Sequence, residues 1–438
     1  MQTRFSPEQL SDPDVREADA ILRKCVHCGF CNATCPTFRI LGDETDGPRG
    51  RIYLIKEMLE NDADPGAEVV QHLDRCLSCL SCMSTCPSGV NYMHLIDHGR
   101  AYVENRYRRP PLQRAARRLL AELLTRPRLV RTAVTAARPL ARMAGILPAF
   151  LRPALDLARS VPASNPALPR NASAAGIRRG RVALLPGCVQ QVLANEINLA
   201  SMRLLNRLGF DVSVLEESTC CGAIEHHLGW NARAQARARR NLAAWSARHA
   251  REPFDHILVN ASGCGTMVKD YGYLLRADPQ WSQAAADSAA ASRDVTEFLA
   301  GQLEGAPLPV QPRDLLVACQ VPCSMQHGQK IREQPAALLR SFGYRVVIPE
   351  DDNQCCGSAG TYNLLQPALA RELGRRKASA LRNCKADVIA TGNLGCALQL
   401  RNFLDVPIVH TVQLLDWASG GPQPEELRDA RVREDSGT

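Results

Sequence analysis

The sequence is poor in aromatic residues, at 5% of 438, and almost devoid of lysine. Only six of its 53 basic side chains are Lys, a bias that codon usage in a GC-rich genome produces by itself. The net charge of +8 is therefore read first as composition. An acidic partner or an anionic surface is the second reading, and no nucleic acid is expected as a partner. No apolar run approaches the roughly 18 residues that a membrane span requires. The opening MQTRFSPEQLSDPDVREAD is polar and acidic, without an apolar stretch or a small-residue cleavage site, so no secretory signal is read there. No GxGxxG follows a strand pattern, which leaves no dinucleotide fingerprint. A hydrophobic content of 45% with 22% charged residues excludes a disordered chain.

Cysteine is what the chain has in excess, 18 in all. Without an export signal the expected location is cytoplasmic, where thiols stay reduced. The cysteines are then metal ligands before they are disulfides. The length suggests roughly two to four domains.

Eight cysteines fall within residues 25–86 in two runs of one form. Cys25, Cys28, Cys31 and Cys35 precede Pro36; Cys76, Cys79, Cys82 and Cys86 precede Pro87. This is the bacterial ferredoxin spacing for two [4Fe–4S] clusters, in which the fourth cysteine of each run ligates the other cluster. Cys25, Cys28, Cys31 and Cys86 are assigned to one cluster, and Cys76, Cys79, Cys82 and Cys35 to the second. Zinc is the competing occupant of CxxC pairs, but zinc requires neither the third cysteine at the next step nor the proline. Between the runs, GDETDGPRGRIYLIKEMLEN reads as a loop leading into a helix with apolar Ile52, Leu54, Ile55, Met58 and Leu59. Arg49 and Arg51 of that loop either screen cluster charge or are ordinary solvated arginines, and the sequence ranks the two evenly.

Residues 106–176 contain no cysteine and read as basic amphipathic helices broken by proline, ending in a linker rich in Pro, Ser, Ala and Asn. Such helices pack on their own protein more often than they lie on a membrane, and peripheral contact with the inner face of the cell membrane is the second reading.

The remaining cysteines lie in an internal repeat. RVALLPGCVQQ carries Cys188, LNRLGFDVSVLEESTCCGA carries Cys220 and Cys221, and LVNASGCG carries Cys264. LLVACQVPCSMQHGQ carries Cys323, LRSFGYRVVIPEDDNQCCGSAG carries Cys355 and Cys356, and IATGNLGC carries Cys396. In both copies 31 residues separate the first cysteine from the pair. Three of the four positions are offset by 135 residues and the last by 132. Strands are expected at 181–185, 211–215 and 256–260, then at 314–318, 345–348 and 387–391. Helical patterns lie between them, such as 196–208 and 336–342. Strand–helix alternation implies parallel sheets. The cysteines follow strands, where ligands of open α/β sheets gather, so the four thiols of each copy converge. Gly222 and Gly357 permit the tight turn after each Cys–Cys pair. Spacing leaves open whether each foursome holds zinc, a cluster or nothing.

The paired Cx31CCG…C units resemble the cysteine-rich CCG domains of heterodisulfide reductases, of anaerobic glycerol-3-phosphate dehydrogenases and of lactate-utilisation proteins. The stretch CVHCGFCNATCPTFRILGDETDGPRGRIYLIKEML resembles the glycolate oxidase iron–sulfur subunit family. The resemblance implies an α+β multi-domain chain. An α-helical two-[4Fe–4S] ferredoxin domain spans 1–105, a basic connector 106–176, two α/β CCG domains 177–305 and 306–420, and a polar tail 421–438. It also implies an electron-transfer subunit that relays electrons from flavin-containing partner subunits, which oxidise glycolate or another 2-hydroxy acid, to a quinone or similar acceptor. Alternatives are a D-lactate or glycerol-3-phosphate dehydrogenase subunit, a structural adaptor, and an enzyme with disulfide chemistry at a CCG cluster. In the heterodisulfide reductase family each full unit ends in CxxC; here Met267 and Gln399 stand in place of the second cysteine. Cys319 is a candidate fifth ligand in the second copy, and Cys384 reads as an ordinary helix cysteine. No catalytic role is assigned to His27, His226, His227 or His327.

Overall fold

A computed structural model describes residues 1–141, 166–303, 308–350 and 353–428. Residues 142–165 of the basic segment and 429–438 of the tail therefore lie outside the described residues.

The apolar runs VALL and HILV form strands covered on both faces, as is usual in parallel sheets, while FDVSV alternates, with Phe210, Val212 and Val214 turned into the core. In the first unit β1 (Asn171–Ala172), β2 (Gly180–Leu185), β3 (Phe210–Val214), β4 (His256–Val259) and β5 (Ser292–Asp294) lie in the order β1-β3-β2-β4-β5. In the second, β6 (Leu316–Gln320), β7 (Arg345–Val347), β8 (Val388–Thr391) and β9 (Ile408–His410) lie in the order β7-β6-β8-β9. Without the short antiparallel β1 the two orders are the same, and all other pairings are parallel. The repeat in the sequence is thus a repeat in topology. The expected strands appear within a few residues of their predicted limits. The last strand of each unit, β5 and β9, has only three residues and lies outside those expectations; SRD carries no apolar pattern.

Strand alternation divides the layers. Val182 and Leu184 of β2 and Val317 of β6 point into one core shared by both units. That core also takes Leu204 and Leu205 of the Glu196–Arg207 helix, Leu338 and Leu339 of the Gln334–Ser341 helix, and Leu414 and Leu415 of the Thr411–Ala418 helix. Ala183 and Leu185 point to the opposite layer, with Cys220 and Cys221. Ala318 and Ile389 do likewise, with Cys356 and Cys396.

The N-terminal part is helical. Helices Pro13–Lys24, Pro48–Glu60, Ala67–Asp74 and Tyr92–Arg106 bury Leu22, Ile55, Leu73, Leu95 and Ile96 around the two cysteine runs. It is fastened to the first unit by His94, whose Nε2 lies 2.9 Å from Asp270 and whose ring stacks on Tyr273. Buried Asp97 adds contacts of 3.3 Å to both His226 and His227.

Two described helices of the basic segment, Pro111–Leu124 and Pro127–Ala141, pack one face on the protein. Arg117 donates to the Leu228 carbonyl at 3.1 Å, and Val130 and Val134 meet Val192, Leu193 and Leu394. The other face leaves Leu112 83% and Leu119 67% exposed.

Because the core is shared, Leu339→Ala in the second unit should cost about 2–5 kcal/mol. It should lower the unfolding temperature of both units in one cooperative transition, read by calorimetry. Two transitions, with only one moved, would contradict the shared core.

Candidate functional site

The two ferredoxin runs adopt one local shape. Cys25 and Cys76 follow helices, Cys31 and Cys82 sit in the short helices Phe30–Ala33 and Ser81–Thr85, and Cys35 leads into the Pro36–Leu41 helix. Two left-handed residues shape each loop: His27 (φ 60°) and Gly29 (φ 84°) in the first, Ser78 (φ 49°) and Leu80 (φ 63°) in the second. A non-glycine residue there costs about 1–2 kcal/mol, and strain of this kind gathers at functional sites.

The fold brings the last cysteine of each run to the other run. Cys25, Cys28, Cys31 and Cys86 line one pocket of about 430 Å³, open to solvent. Cys35, Cys76, Cys79 and Cys82 line a second of about 310 Å³, with Cys82 between the two. Cys28 is exposed, whereas all four thiols of the second set are buried. The sulfurs crowd one another electrostatically. Burial, and then negative charge at Cys25, Cys86 and Cys28, pushes the Cys31 thiol up to about 11. Burial, with Cys79, Cys76 and Cys35, also raises the Cys82 thiol. Thiols in this state ionise together only around a cation, and four soft sulfurs suit iron or zinc. Both sets therefore fit a thiolate-bound metal centre.

Arg49 and Arg51 part company. Arg49 pairs with Glu44 at 2.6 Å on a partly exposed face. Arg51 is buried; its Nη1 donates to Cys35 Sγ at 3.9 Å, its Nε to the His72 carbonyl at 2.7 Å, and its Nη2 to Thr37 Oγ1 at 3.1 Å. Tyr92 Oη donates to Cys76 Sγ at 3.8 Å, and Arg100 Nη2 to the Cys76 carbonyl at 2.5 Å. Tyr92 and Arg100 lie beyond the second run on the Tyr92–Arg106 helix, and no spacing rule marks them.

In the repeat, the four thiols of each copy lie together. Hydrogen bonds link Cys188 to Cys220, Cys220 to Cys221, and Cys221 to Cys264. In the second copy Cys323 Sγ lies 3.9 Å from Cys355 Sγ, and Cys356 Sγ lies 3.3 Å from Cys396 Sγ. One sulfur of each foursome is favoured as thiolate. Cys220 is held low by hydrogen bonds from Cys188 and Cys221, and Cys356 by those from Cys355 and Cys396. Arg237 supplies positive charge near Cys220, and fully buried Lys377 near Cys356. Cys319 is no fifth ligand: it lies on β6 and points into the shared core with Val317 and Val321, on the face opposite Cys356 and Cys396. Alternation along the strand, with Ala318 on the cysteine side, sets this orientation. Cys384 caps the Pro367–Asn383 helix and donates to the Ala380 carbonyl at 3.6 Å.

The second repeat site adjoins the buried ferredoxin set. Negative charge at Cys323 is, after burial, the largest influence raising the Cys79 thiol. Leu77 and Cys79 pack with Cys355, Tyr362 and Leu373. Tyr362 Oη donates to the Arg75 carbonyl at 3.1 Å, and Ser84 Oγ lies 2.8 Å from His327 Nδ1. His327, held near 4 chiefly by burial, is thus a neutral buried contact at this junction. His226 and His227 fasten the helical part, and His27 shapes its loop.

Gly222 and Gly357 both sit in the left-handed region, at φ 91° and 84°. A Cβ on Gly222 would stand 3.3 Å from the Ala234 carbonyl oxygen, but one on Gly357 only 2.6 Å from that of Ala370. Each glycine-to-alanine change should cost about 1–2 kcal/mol for backbone conformation, and Gly357→Ala more because backbone must move. Denaturant unfolding of both variants checks the order; equal losses would contradict the closer approach at Gly357.

Comparison with known proteins agrees with this arrangement. Residues 21–90 match the model of the 4Fe-4S dicluster domain, and residues 182–269 and 317–401 that of the cysteine-rich domain. The glycolate oxidase iron-sulfur subunit of Escherichia coli is 39% identical over 95% of this chain and 99% of its own length. The probable glycolate oxidase iron-sulfur subunit of Bacillus subtilis is 31% identical over 91% of this chain and 94% of its own. Among solved structures, a hypothetical protein from Helicobacter pylori superposes with a TM-score of 0.53 at 11% identity, covering 95% of this chain and 74% of that one; it shares the fold. With a 4Fe-4S dicluster domain at its N-terminus, two cysteine-rich units after it and end-to-end similarity to these relatives, the chain belongs to the family of glycolate oxidase iron–sulfur subunits.

Proposed function

We propose that this chain is the electron-transferring subunit of a glycolate oxidase complex. It receives electrons from a flavin-containing partner subunit that oxidises glycolate to glyoxylate, and hands them to a quinone or similar acceptor. The observation that carries this reading is the crossing of the two cysteine runs into one set that reaches the surface at Cys28 and one whose four thiols are all buried. Cys25, Cys28, Cys31 and Cys86 would hold one [4Fe–4S] cluster, and Cys76, Cys79, Cys82 and Cys35 the other. Such a cluster supplies one-electron chemistry at a potential tuned by charge, hydrogen bonds and exposure. The protein holds the sulfurs in place, keeps water from the second set and leaves Cys28 at the surface. Val26 and Phe30, 67% and 62% exposed, flank Cys28 and offer a partner an apolar rim.

The foursomes of the repeat are proposed as further metal sites, for a cluster or for zinc. The second stands next to the buried ferredoxin set and is the one in line to exchange electrons with it.

No helix among the described residues is long and apolar enough to cross a membrane. The exposed Leu112 and Leu119, on a helix that also exposes Arg114 and Arg118, support peripheral contact with an anionic membrane. Vesicle flotation should show binding at low salt that high salt weakens and that Leu112→Ser with Leu119→Ser abolishes. Absence of binding at low salt would leave the helix as intramolecular packing.

In the assembled complex, Cys25→Ser or Cys76→Ser should remove or convert one of two cluster signals in the EPR spectrum. Electron flow to a quinone analogue should fall at least tenfold while glycolate still reduces the partner's flavin. Unchanged quinone turnover would refute the relay.

A further inference from the structure

Burying four thiolates around iron places net negative charge in the protein interior, and reduction adds one more charge. An exposed centre disperses that charge into water, whereas a buried one lacks the solvent to do so. Other things equal, burial makes the Cys35/Cys76/Cys79/Cys82 centre harder to reduce than its exposed neighbour. The structure places a counterweight there. Arg51 is fully buried, aims Nη1 at Cys35 Sγ across 3.9 Å, and is locked by the His72 carbonyl, Thr37 and Asp46. A guanidinium stays protonated inside a protein, so the charge of Arg51 is fixed beside these sulfurs. Asp46 does not neutralise Arg51 alone, because it also takes Arg75 at 2.7 Å and His72 at 3.1 Å. Arg100, on the other side, holds the Cys76 carbonyl and reaches Ser78 Oγ at 2.6 Å. The exposed set is served differently: Arg49 lines its pocket, but it is partly solvated and tied to Glu44.

We infer that Arg51 is a positioning residue that raises the reduction potential of the buried centre, so that an electron arriving at the exposed centre moves inward. The inference rests on the ligand sets proposed above. The step moves one electron: the exposed centre is oxidised, the buried one is reduced, no bond is made or broken, and no proton moves.

The test is an EPR-monitored redox titration of the anaerobically purified full-length protein. Arg51→Gln should lower the midpoint of one of the two [4Fe–4S] signals by at least tenfold in reduction equilibrium, about 59 mV for one electron, and leave the other in place. Arg51→Lys, which keeps the charge, should lie closer to wild type. Asp46→Asn, which removes the opposing carboxylate, should move the same signal upward. The opposite signs matter, since mere loosening of the loop would not produce them. If Arg51→Gln fails to hold its cluster, Asp46→Asn and Arg51→Lys decide in its stead: a raised and a near-wild-type midpoint support the proposal, and anything else overturns it. Two intact signals with an unmoved midpoint in Arg51→Gln overturn the Arg51 proposal alone. A wild-type protein with fewer than two signals overturns the ligand sets beneath it.

Discussion

Sulfur charge crowded into a protein interior is the constraint on which the rest of this structure depends. Sixteen cysteines stand in four groups of four, each gathered from segments far apart in the chain. Thiols so close raise one another's pKa and resist ionising together unless a cation is present. The protein answers with a cation near three of the groups: Arg51 by the buried ferredoxin set, Arg237 by Cys220 and Lys377 by Cys356. The fourth group, which includes exposed Cys28, has Arg49 on its pocket wall, partly solvated and tied to Glu44. A gathered, charge-compensated sulfur set is what a metal centre needs before the metal arrives.

The arrangement has a direction. The exposed ferredoxin set shares Cys82 as a boundary with the buried one, and the buried one meets the second repeat through Cys79 and Cys323. Surface, interior and repeat are thereby joined in a line of sulfur. The first repeat contributes differently. Its sheet shares a core with the second, and its His226 and Asp270 fasten the helical part through Asp97 and His94. The second repeat holds the helical part directly, through Tyr362 on the Arg75 carbonyl and Ser84 beside His327.

Much of this was legible in the sequence because cysteine spacing is a geometric code. CxxCxxCxxxCP written twice implies the crossover, and equal intervals of 31 residues imply one topology twice. Six strands could be read because short β-branched and apolar runs alternate with helical patterns. What could not be read depends on the third dimension. Three-residue strands such as Ser292–Asp294 carry no period. Arg49 and Arg51 read as neighbours in a loop, but both lie on the helix that begins at Pro48, which sets Arg51 onto Cys35 and Arg49 at the rim of the other pocket. Proximity in sequence makes Cys319 look like a spare ligand, and strand alternation turns it away. Tyr92 on the Cys76 sulfur, Arg100 on the Cys76 carbonyl and Lys377 near Cys356 come from helices with no motif to mark them.

Everything above turns on whether the ferredoxin half binds two cubane clusters through crossed cysteine sets. Iron, zinc and acid-labile sulfide per chain, measured on anaerobically purified protein, test it most directly. At least about eight irons and eight sulfides, four of each per cubane, are predicted, with any excess belonging to the repeat. Four irons or fewer, or zinc in their place with no labile sulfide, would contradict it.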